Sequence, residues 1–182
     1  ADQGNTAFAF LAGGGTINNI AIPAGAAAGT YNGTMTIRNA NGCTGTKTVT
    51  VTIYALPTIN TASTPATVAA VCYNTAAQTT TMAYTSTTNN PTSYSIDWTG
   101  MADQANTPFA FVPGAGTITN IAIPAGVAAG TYNGTMTIMN GNGCTGTKNV
   151  RVVINPVTTL TGATTSAVCS GNPAVLSMTG LK

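Results

Sequence analysis

Apolar and polar residues alternate in the second half of the chain, between Thr131 and Met139. One face of this stretch carries Tyr132, Gly134, Met136 and Ile138. The alternation returns after a Gly-Asn-Gly-Cys turn at 141–144, where one face carries Lys148, Val150, Val152 and Ile154. A period of two residues is typical of a strand with one buried face. The pattern therefore predicts a β-hairpin in this region.

Other short apolar runs supply candidates for further strands, and Gly, Pro or Asn interrupt them every eight to twelve positions. The inward-facing candidates are Tyr94, Ile96, Trp98, Phe109, Phe111, Ile121 and Ile123. No stretch shows the period of an amphipathic helix. About seven short strands in roughly 100 residues are typical of an immunoglobulin-like β-sandwich. The sequence therefore predicts an all-β fold whose core includes Trp98, Tyr132 and Ile138.

The chain contains an internal repeat. Ala1–Ile53 matches Ala102–Ile154 without a gap at an offset of 101, with 41 of 53 positions identical. A weaker match places Thr64–Ala77 over Thr161–Ala174 and aligns Cys72 with Cys169 at an offset of 97. Self-similarity at a fixed period indicates tandem modules. Each module is expected to be about 100 residues long, and the sandwich fold is expected to recur along the chain.

Two proline-marked stretches, ALPTI at 55–59 and NPVTTL at 155–160, are the expected junctions between modules. They predict the C-terminal half of a preceding module at 1–56, a complete module at 57–156 and the start of a following module at 157–182. One explanation is a longer array of which this chain is a part. The other is a subunit whose half-modules complete each other head to tail. We favour the array, because the joined halves would lack a counterpart of YSIDWTG at 94–100.

Charge is scarce, with eight charged residues, no His, no Glu and a net charge of +2. No basic surface for nucleic acid is therefore expected. Because the chain lacks His and Glu, it has few groups that can act as a general base. We expect no catalytic residues, no enzymatic activity and no cofactor. No apolar run approaches the roughly 18 residues of a membrane helix, so no membrane span is expected.

The three aspartates, Asp2, Asp97 and Asp103, are the candidates for a metal site, and the metal would be calcium. Asp2 and Asp103 occupy equivalent positions of the repeat. Calcium takes six to eight oxygen ligands and usually several carboxylates. A role in a loop or turn is therefore favoured over a calcium site for each of them.

Four cysteines lie far apart in the sequence, without a C-x-x-C pair, at positions 43, 72, 144 and 169. This spacing favours disulfides over a zinc site, and disulfides indicate an oxidising compartment outside the cytoplasm. Cys72 and Cys144 both fall in the complete module, so we expect them to pair there, with Trp98 packed near the bridge. Cys43 and Cys169 would then have partners outside the chain or in another subunit.

Several motifs resemble one family: Val71-Cys72, YSIDW at 94–98, AGTYNGTMTI at 129–138, NGNGCTGTK at 140–148 and the closing Val150, Val152 and Ile154. Together they resemble the Ig-like or PKD-like repeats of very large secreted adhesins of gliding Bacteroidetes. The resemblance implies a secreted fibre on the cell surface that serves attachment or gliding, with neighbouring copies of the module as head-to-tail partners. The alternatives are a module that binds glycans or another surface directly, and a spacer of a secreted enzyme.

Overall fold

The computed structural model describes residues 3–10, 13–160 and 162–180. All secondary-structure elements within these residues are β-strands, which confirms the all-β prediction. None of the described residues forms a helix that is long and apolar enough to span a membrane. The chain divides into two compact units, Ala1–Ala55 and Leu56–Lys182.

Within its described residues, the first unit contains one hairpin, formed by β1 (Gly29–Arg38) and β2 (Thr44–Ile53). Its antiparallel register runs from Gly29 opposite Ile53 to Arg38 opposite Thr44. Gly42 closes the turn with a φ of +85°, a left-handed conformation that glycine adopts without strain. The apolar residues on both strands are exposed or half-buried.

The second unit contains ten strands between Leu56 and Asn155. They are β3 (Thr58–Asn60), β4 (Ala66–Thr67), β5 (Val71–Cys72), β6 (Gln78–Tyr84), β7 (Ser86–Thr88), β8 (Pro91–Trp98), β9 (Gln104–Pro108), β10 (Gly116–Ile123), β11 (Gly130–Asn140) and β12 (Thr145–Asn155). The largest sheet has the order β4-β12-β11-β8-β9. β5 also pairs with β12, on residues 154–155, after the residues 150–151 that pair with β4. β4 and β5 run parallel to β12, whereas the other neighbours in this sheet are antiparallel.

A second layer consists of the pairs β6–β10 and β3–β7. Side chains from both layers meet in one hydrophobic core, whose fully buried members include Met82, Tyr94, Ile96, Ile118, Ile121, Ile123, Met136, Ile138, Val150 and Val152. Two sheets packed over a shared core form a β-sandwich. The N-terminal segment crosses between the layers, because β3 pairs with β7 in one layer and β4 and β5 pair with β12 in the other.

The hairpin predicted from residue alternation is formed by β11 and β12. Its register runs from Gly130 opposite Ile154 to Met139 opposite Thr145, which reproduces the register of β1 and β2 at the repeat offset. After β12, a small hairpin of β13 (Gly162–Thr165) and β14 (Leu176–Thr179) exposes most of its side chains.

Candidate functional site

The β-sandwich of residues 56–155 corresponds to the module predicted at 57–156, and we use the name complete module for it. The polypeptide enters this sandwich beside the β11–β12 turn. Gly146, the second residue of β12, lies against the Pro57 carbonyl so closely that a Cβ would have no room. We call this region, made of Leu56, Pro57, Asn89 and residues 140–146, the entry end. The contact explains why glycine is needed at position 146, although β12 is otherwise a regular strand.

Asparagine side chains connect the components of the entry end. The Asn89 amide donates a hydrogen bond of 2.7 Å to the Leu56 carbonyl, and the Asn140 amide donates one of 3.4 Å to the Asn89 carbonyl. The Asn140 side-chain oxygen accepts bonds of 3.1 Å from the backbone N–H groups of Asn142 and Cys144. Asn140 is 5% exposed. The hairpin turn is therefore fixed to the incoming chain.

The polypeptide leaves the module at the opposite end of β12. There Asn155 lies beside Cys72 in the parallel pairing of β12 with β5, and the Tyr73 N–H donates a bond of 2.8 Å to the Asn155 carbonyl. The Gln78 side chain donates a bond of 2.8 Å to the Cys72 carbonyl. We call this region, made of Asn155 and residues 72–78, the exit end.

The predicted disulfide between Cys72 and Cys144 is wrong for this structure, in which all four cysteines are free. Cys144 immediately precedes Thr145 at the entry end, and Cys72 lies beside Asn155 at the exit end. The ten residue steps of β12 between these ends span about 33 Å. A disulfide needs Cα atoms about 4.4–6.8 Å apart, so the two thiols of one module cannot meet. Trp98 consequently has no bridge to pack against.

The predicted core residues occupy different depths. Trp98 and Ile138 are buried, whereas Tyr132 is half-buried and donates a hydrogen bond of 2.9 Å to the Ala128 carbonyl. The Trp98 ring packs over Gly134 of β11, where a Cβ would lie 2.7 Å from Trp98 Cε3 and 2.7 Å from the Asp97 carbonyl oxygen. Gly134 therefore makes room for the indole ring.

The candidate calcium ligands do not form a metal site in the described part of the chain. Asp103 accepts a hydrogen bond of 2.8 Å from the Trp98 backbone N–H, so its carboxylate fixes the turn between β8 and β9. Asp97 is exposed, and Asp2 lies outside the described residues. No group of three or more His, Cys, Asp or Glu side chains converges anywhere in those described residues.

A shallow depression of about 330 Å³ lies on the outer face of the large sheet. It is lined by Pro65, Asp97, Thr99, Asn133, Gly134, Thr135, Asn149 and Val150. Its side chains offer one carboxylate together with amides and hydroxyls, which suit hydrogen bonds to a polar ligand. None of the lining residues supplies an aromatic ring for stacking against a sugar.

A buried polar cluster around Tyr94 was missed by the sequence interpretation. The Tyr94 hydroxyl donates a bond of 2.8 Å to the Asn120 side chain and accepts one of 2.9 Å from the Gln104 amide. The Gln104 side-chain oxygen accepts a bond of 3.0 Å from the Ala122 N–H. Burial raises the pKa of Tyr94 above its usual 10.0, against the opposing effect of the Gln104 hydrogen bond.

The repeat contained a signal that could have revealed this cluster. Gln3 stands where Gln104 stands in the complete module, and its side chain makes the equivalent bonds to the Asn19 carbonyl and from the Ala21 N–H. The same holds at the hairpin turn, where the Asn39 side chain accepts a bond of 2.9 Å from the Cys43 N–H. Polar residues retained in both copies thus mark the hydrogen bonds that fix the local backbone.

No family model matches the chain, and no curated protein matches it. One similar solved structure contains fibronectin(III)-like modules of Clostridium thermocellum CbhA, with 15% identity, a TM-score of 0.38 and coverage of 72% of this chain and 65% of that one. Another is SGBP-B of the Bacteroides ovatus mixed-linkage glucan utilization locus in complex with a mixed-linkage heptasaccharide, with 19% identity, a TM-score of 0.30 and coverage of 84% and 36%. The chain spans less than two thirds of either structure. Both TM-scores are below 0.5, and the β-sandwich is defined by the strand pairing of this chain itself.

Proposed function

We propose that this chain is a structural repeat of a secreted cell-surface filament or adhesin stalk, in which modules follow one another head to tail and serve attachment or gliding. The observation that carries the proposal is the placement of the entry and exit ends at opposite ends of β12. A module whose chain enters at one end and leaves about 33 Å away adds length to a fibre with each repeat.

The repeat supports the same function. The two hairpins share their register, their turn hydrogen bonds and most of their sequence, as expected for one module copied along a chain. Short hydroxyl and amide side chains replace the usual charged residues, which suits an exposed stalk with little charge of its own. The same composition supports a non-enzymatic role, because the chain has no His and no Glu for acid–base chemistry.

Labelling of intact cells that produce the protein tests this function. Antibodies raised against the full 182-residue chain should label intact and permeabilised cells equally, and monovalent fragments should reduce attachment to a surface. Fragments from non-immune serum are the control for steric effects on the cell surface. Labelling confined to permeabilised cells, or attachment that is unchanged in a strain lacking the gene, would overturn the proposal.

The depression around Asp97 favours a second candidate, direct binding of a glycan by the module. The depression has room for a few hydroxyl groups, but no aromatic ring lines it. We therefore rank glycan binding below the stalk function. Titration calorimetry of the full chain with soluble polysaccharides tests glycan binding. Asp97→Asn is the test variant, and Asp103→Asn, at an exposed aspartate outside the depression, is its matched control. Binding that Asp97→Asn alone abolishes would favour the glycan-binding module. A catalytic domain elsewhere in the parent protein would favour the spacer of a secreted enzyme.

A further inference from the structure

We propose that neighbouring modules are joined by disulfides, each between the exit-end Cys72 of one module and the entry-end cysteine of the next, at the position of Cys144. The proposal rests on the head-to-tail array proposed above. Its basis is the placement of one cysteine at each end of the complete module, with the two separated by the length of β12. Because Cys72 and Cys144 of one module cannot meet, each lies where it can pair with a cysteine of a neighbouring module.

The junction limits how far apart the two thiols of neighbouring modules can lie. β2 ends at Ile53 and β3 begins at Thr58, so only residues 54–57 connect one repeat to the next. Four residues span at most about 14 Å even when fully extended. Cys72 lies one strand spacing, about 4.8 Å, from the last residue of β12, at the point where the next connection starts.

The entry-end cysteine lies close to the other end of that connection. Cys144 is two residues, about 7 Å of strand, from Gly146, and Gly146 lies against the carbonyl of Pro57. The hydrogen bonds from Asn140 to the turn and from Asn89 to Leu56 fix this arrangement. In the proposed array, the exit-end cysteine of one module and the entry-end cysteine of the next would thus border the same short connection, one at its beginning and one at its end.

The surroundings of the thiols fit the proposal. Cys72 is exposed and Cys144 is partly exposed, so both are open to an oxidant and to a neighbouring module. Cys43 lies in the β1–β2 turn, at the position equivalent to Cys144, and its bonds with Asn39 match those of Cys144 with Asn140. Cys169 aligns with Cys72 in the repeat. In the proposed array, each of the four would pair with a cysteine of a neighbouring module.

The bridge forms by thiol–disulfide exchange with a small disulfide such as oxidised glutathione. One cysteine thiolate attacks the oxidant and releases a first glutathione thiolate, leaving a mixed disulfide. The second cysteine thiolate then attacks the cysteine sulfur of that mixed disulfide and releases the second glutathione. Two cysteine sulfurs are oxidised, two glutathione sulfurs are reduced, and the two thiol protons end on glutathione.

The test uses the full chain with residues 54–154 duplicated in tandem, which keeps the native four-residue connection between two complete modules. In the adjacent variant, only Cys72 of the first copy and Cys144 of the second copy remain, and every other cysteine is changed to serine. In the matched control, only Cys144 of the first copy and Cys72 of the second remain, so the composition is identical but the two thiols lie at the outer ends.

Both variants are incubated with oxidised glutathione at low protein concentration, and free thiols are counted by mass spectrometry after alkylation. We expect the adjacent variant to lose both thiols and to form a monomeric disulfide, while the control keeps both or carries glutathione on each. Equal behaviour of the two variants would overturn the bridge. So would a disulfide in a third variant that keeps Cys72 and Cys144 within one copy.

Two further measurements keep the outcome interpretable. The fluorescence of Trp98, the single tryptophan of each module, reports whether both copies are folded in every variant. Cell-surface labelling is independent of the bridge. Surface labelling without a bridge would contradict the disulfide alone, whereas a bridge without surface labelling would contradict the stalk function alone.

Discussion

Nearly the same sequence is folded in two different surroundings in this chain. Residues 1–53 and 102–154 are identical at 41 of 53 positions. In the complete module Ile121, Ile123 and Ile138 are at most 1% exposed. Their counterparts in the first unit, Ile20, Ile22 and Ile37, are 51%, 50% and 45% exposed. The difference is the presence of β3 to β8 in the complete module, because these strands lie before residue 102, where the repeat begins, and so have no counterparts in residues 1–55.

The comparison separates local from non-local determinants of the fold. The two hairpins have the same register, so the turn and the alternating pattern are sufficient to define it. Strand β10 behaves differently. It pairs only with β6, and the equivalent residues 15–22 of the first unit, which have no such partner, are not assigned to a strand. The buried face of the β11–β12 hairpin belongs to a core that also contains side chains of β6 and β8.

The largest expected effect comes from truncating an isoleucine that is buried in one copy and exposed in the other. Ile138→Ala should destabilise the complete module by about 2–5 kcal/mol, because it leaves a cavity in the core. Ile37→Ala should change stability by less than about 0.5 kcal/mol, because that side chain is already half in water. Urea unfolding followed by Trp98 fluorescence and by circular dichroism measures both.

Equal losses from the two isoleucine substitutions would contradict the comparison. They would mean that the first unit buries Ile37 in solution, for example against a second copy of the chain. Repeating the measurement over a tenfold range of protein concentration distinguishes such association from intrinsic stability.

The next effect tests the space that Gly134 leaves for Trp98. Gly134→Ala places a methyl group 2.7 Å from the indole ring and from the Asp97 carbonyl, so we expect destabilisation by about 1–3 kcal/mol and a shift in Trp98 emission. Gly33→Ala is the matched control, because its Cβ would meet only Val49, at 3.8 Å. A Gly134→Ala protein as stable as the wild type would show that the indole ring is not held against β11.

A third effect concerns the entry end. Asn140→Ala removes the acceptor for the Cys144 and Asn142 N–H groups and the donor to the Asn89 carbonyl, and should cost about 1–3 kcal/mol. Asn39→Ala removes the equivalent acceptor for Cys43 from an exposed turn and should cost less. Amide hydrogen exchange of residues 140–146 and 39–45 compares the two turns. Unchanged protection of residues 140–146 in Asn140→Ala would contradict the role given to this side chain.

The sequence predicted the β11–β12 hairpin and the all-β fold because side-chain alternation and glycine at the turn are local signals. It did not reveal where the cysteines lie in the folded sandwich. An early strand and a late hairpin specify the order of Cys72 and Cys144 along the chain, but not the end of the sandwich at which each lies. That information resides in the parallel pairing of β5 with the last residues of β12, a contact between residues more than 80 positions apart.

The roles of the polar residues were also hidden, for a related reason. Its carboxylate makes Asp103 a candidate calcium ligand, but the partner of Asp103 is a backbone N–H five residues earlier, which composition does not indicate. The hydrogen bond between Gln104 and Tyr94 depends on the pairing of β8 with β9, which residue type alone does not indicate. Only the comparison of the two copies shows which polar residues fix the local backbone, since Gln3 keeps two of these bonds without the tyrosine.

The smallest effect concerns that tyrosine. Tyr94→Phe removes the hydroxyl that links Gln104 to Asn120, and should cost about 1 kcal/mol at neutral pH. Burial raises the pKa of Tyr94 in the folded module, so the unfolded chain ionises first as the pH increases. The stability contributed by the neutral hydroxyl is therefore complete below pH 10.0 and is lost as the pH rises toward the folded pKa.

Urea unfolding between pH 8 and 11 should consequently show a steeper loss of stability for the wild type than for Tyr94→Phe. Tyr54→Phe, in an exposed side chain of the first unit, is the control for removal of a tyrosine hydroxyl and should follow the wild type. If wild type and Tyr94→Phe lose stability in parallel above pH 10, the hydroxyl is accessible to water. The buried cluster that distinguishes the complete module from the first unit would then be open in solution.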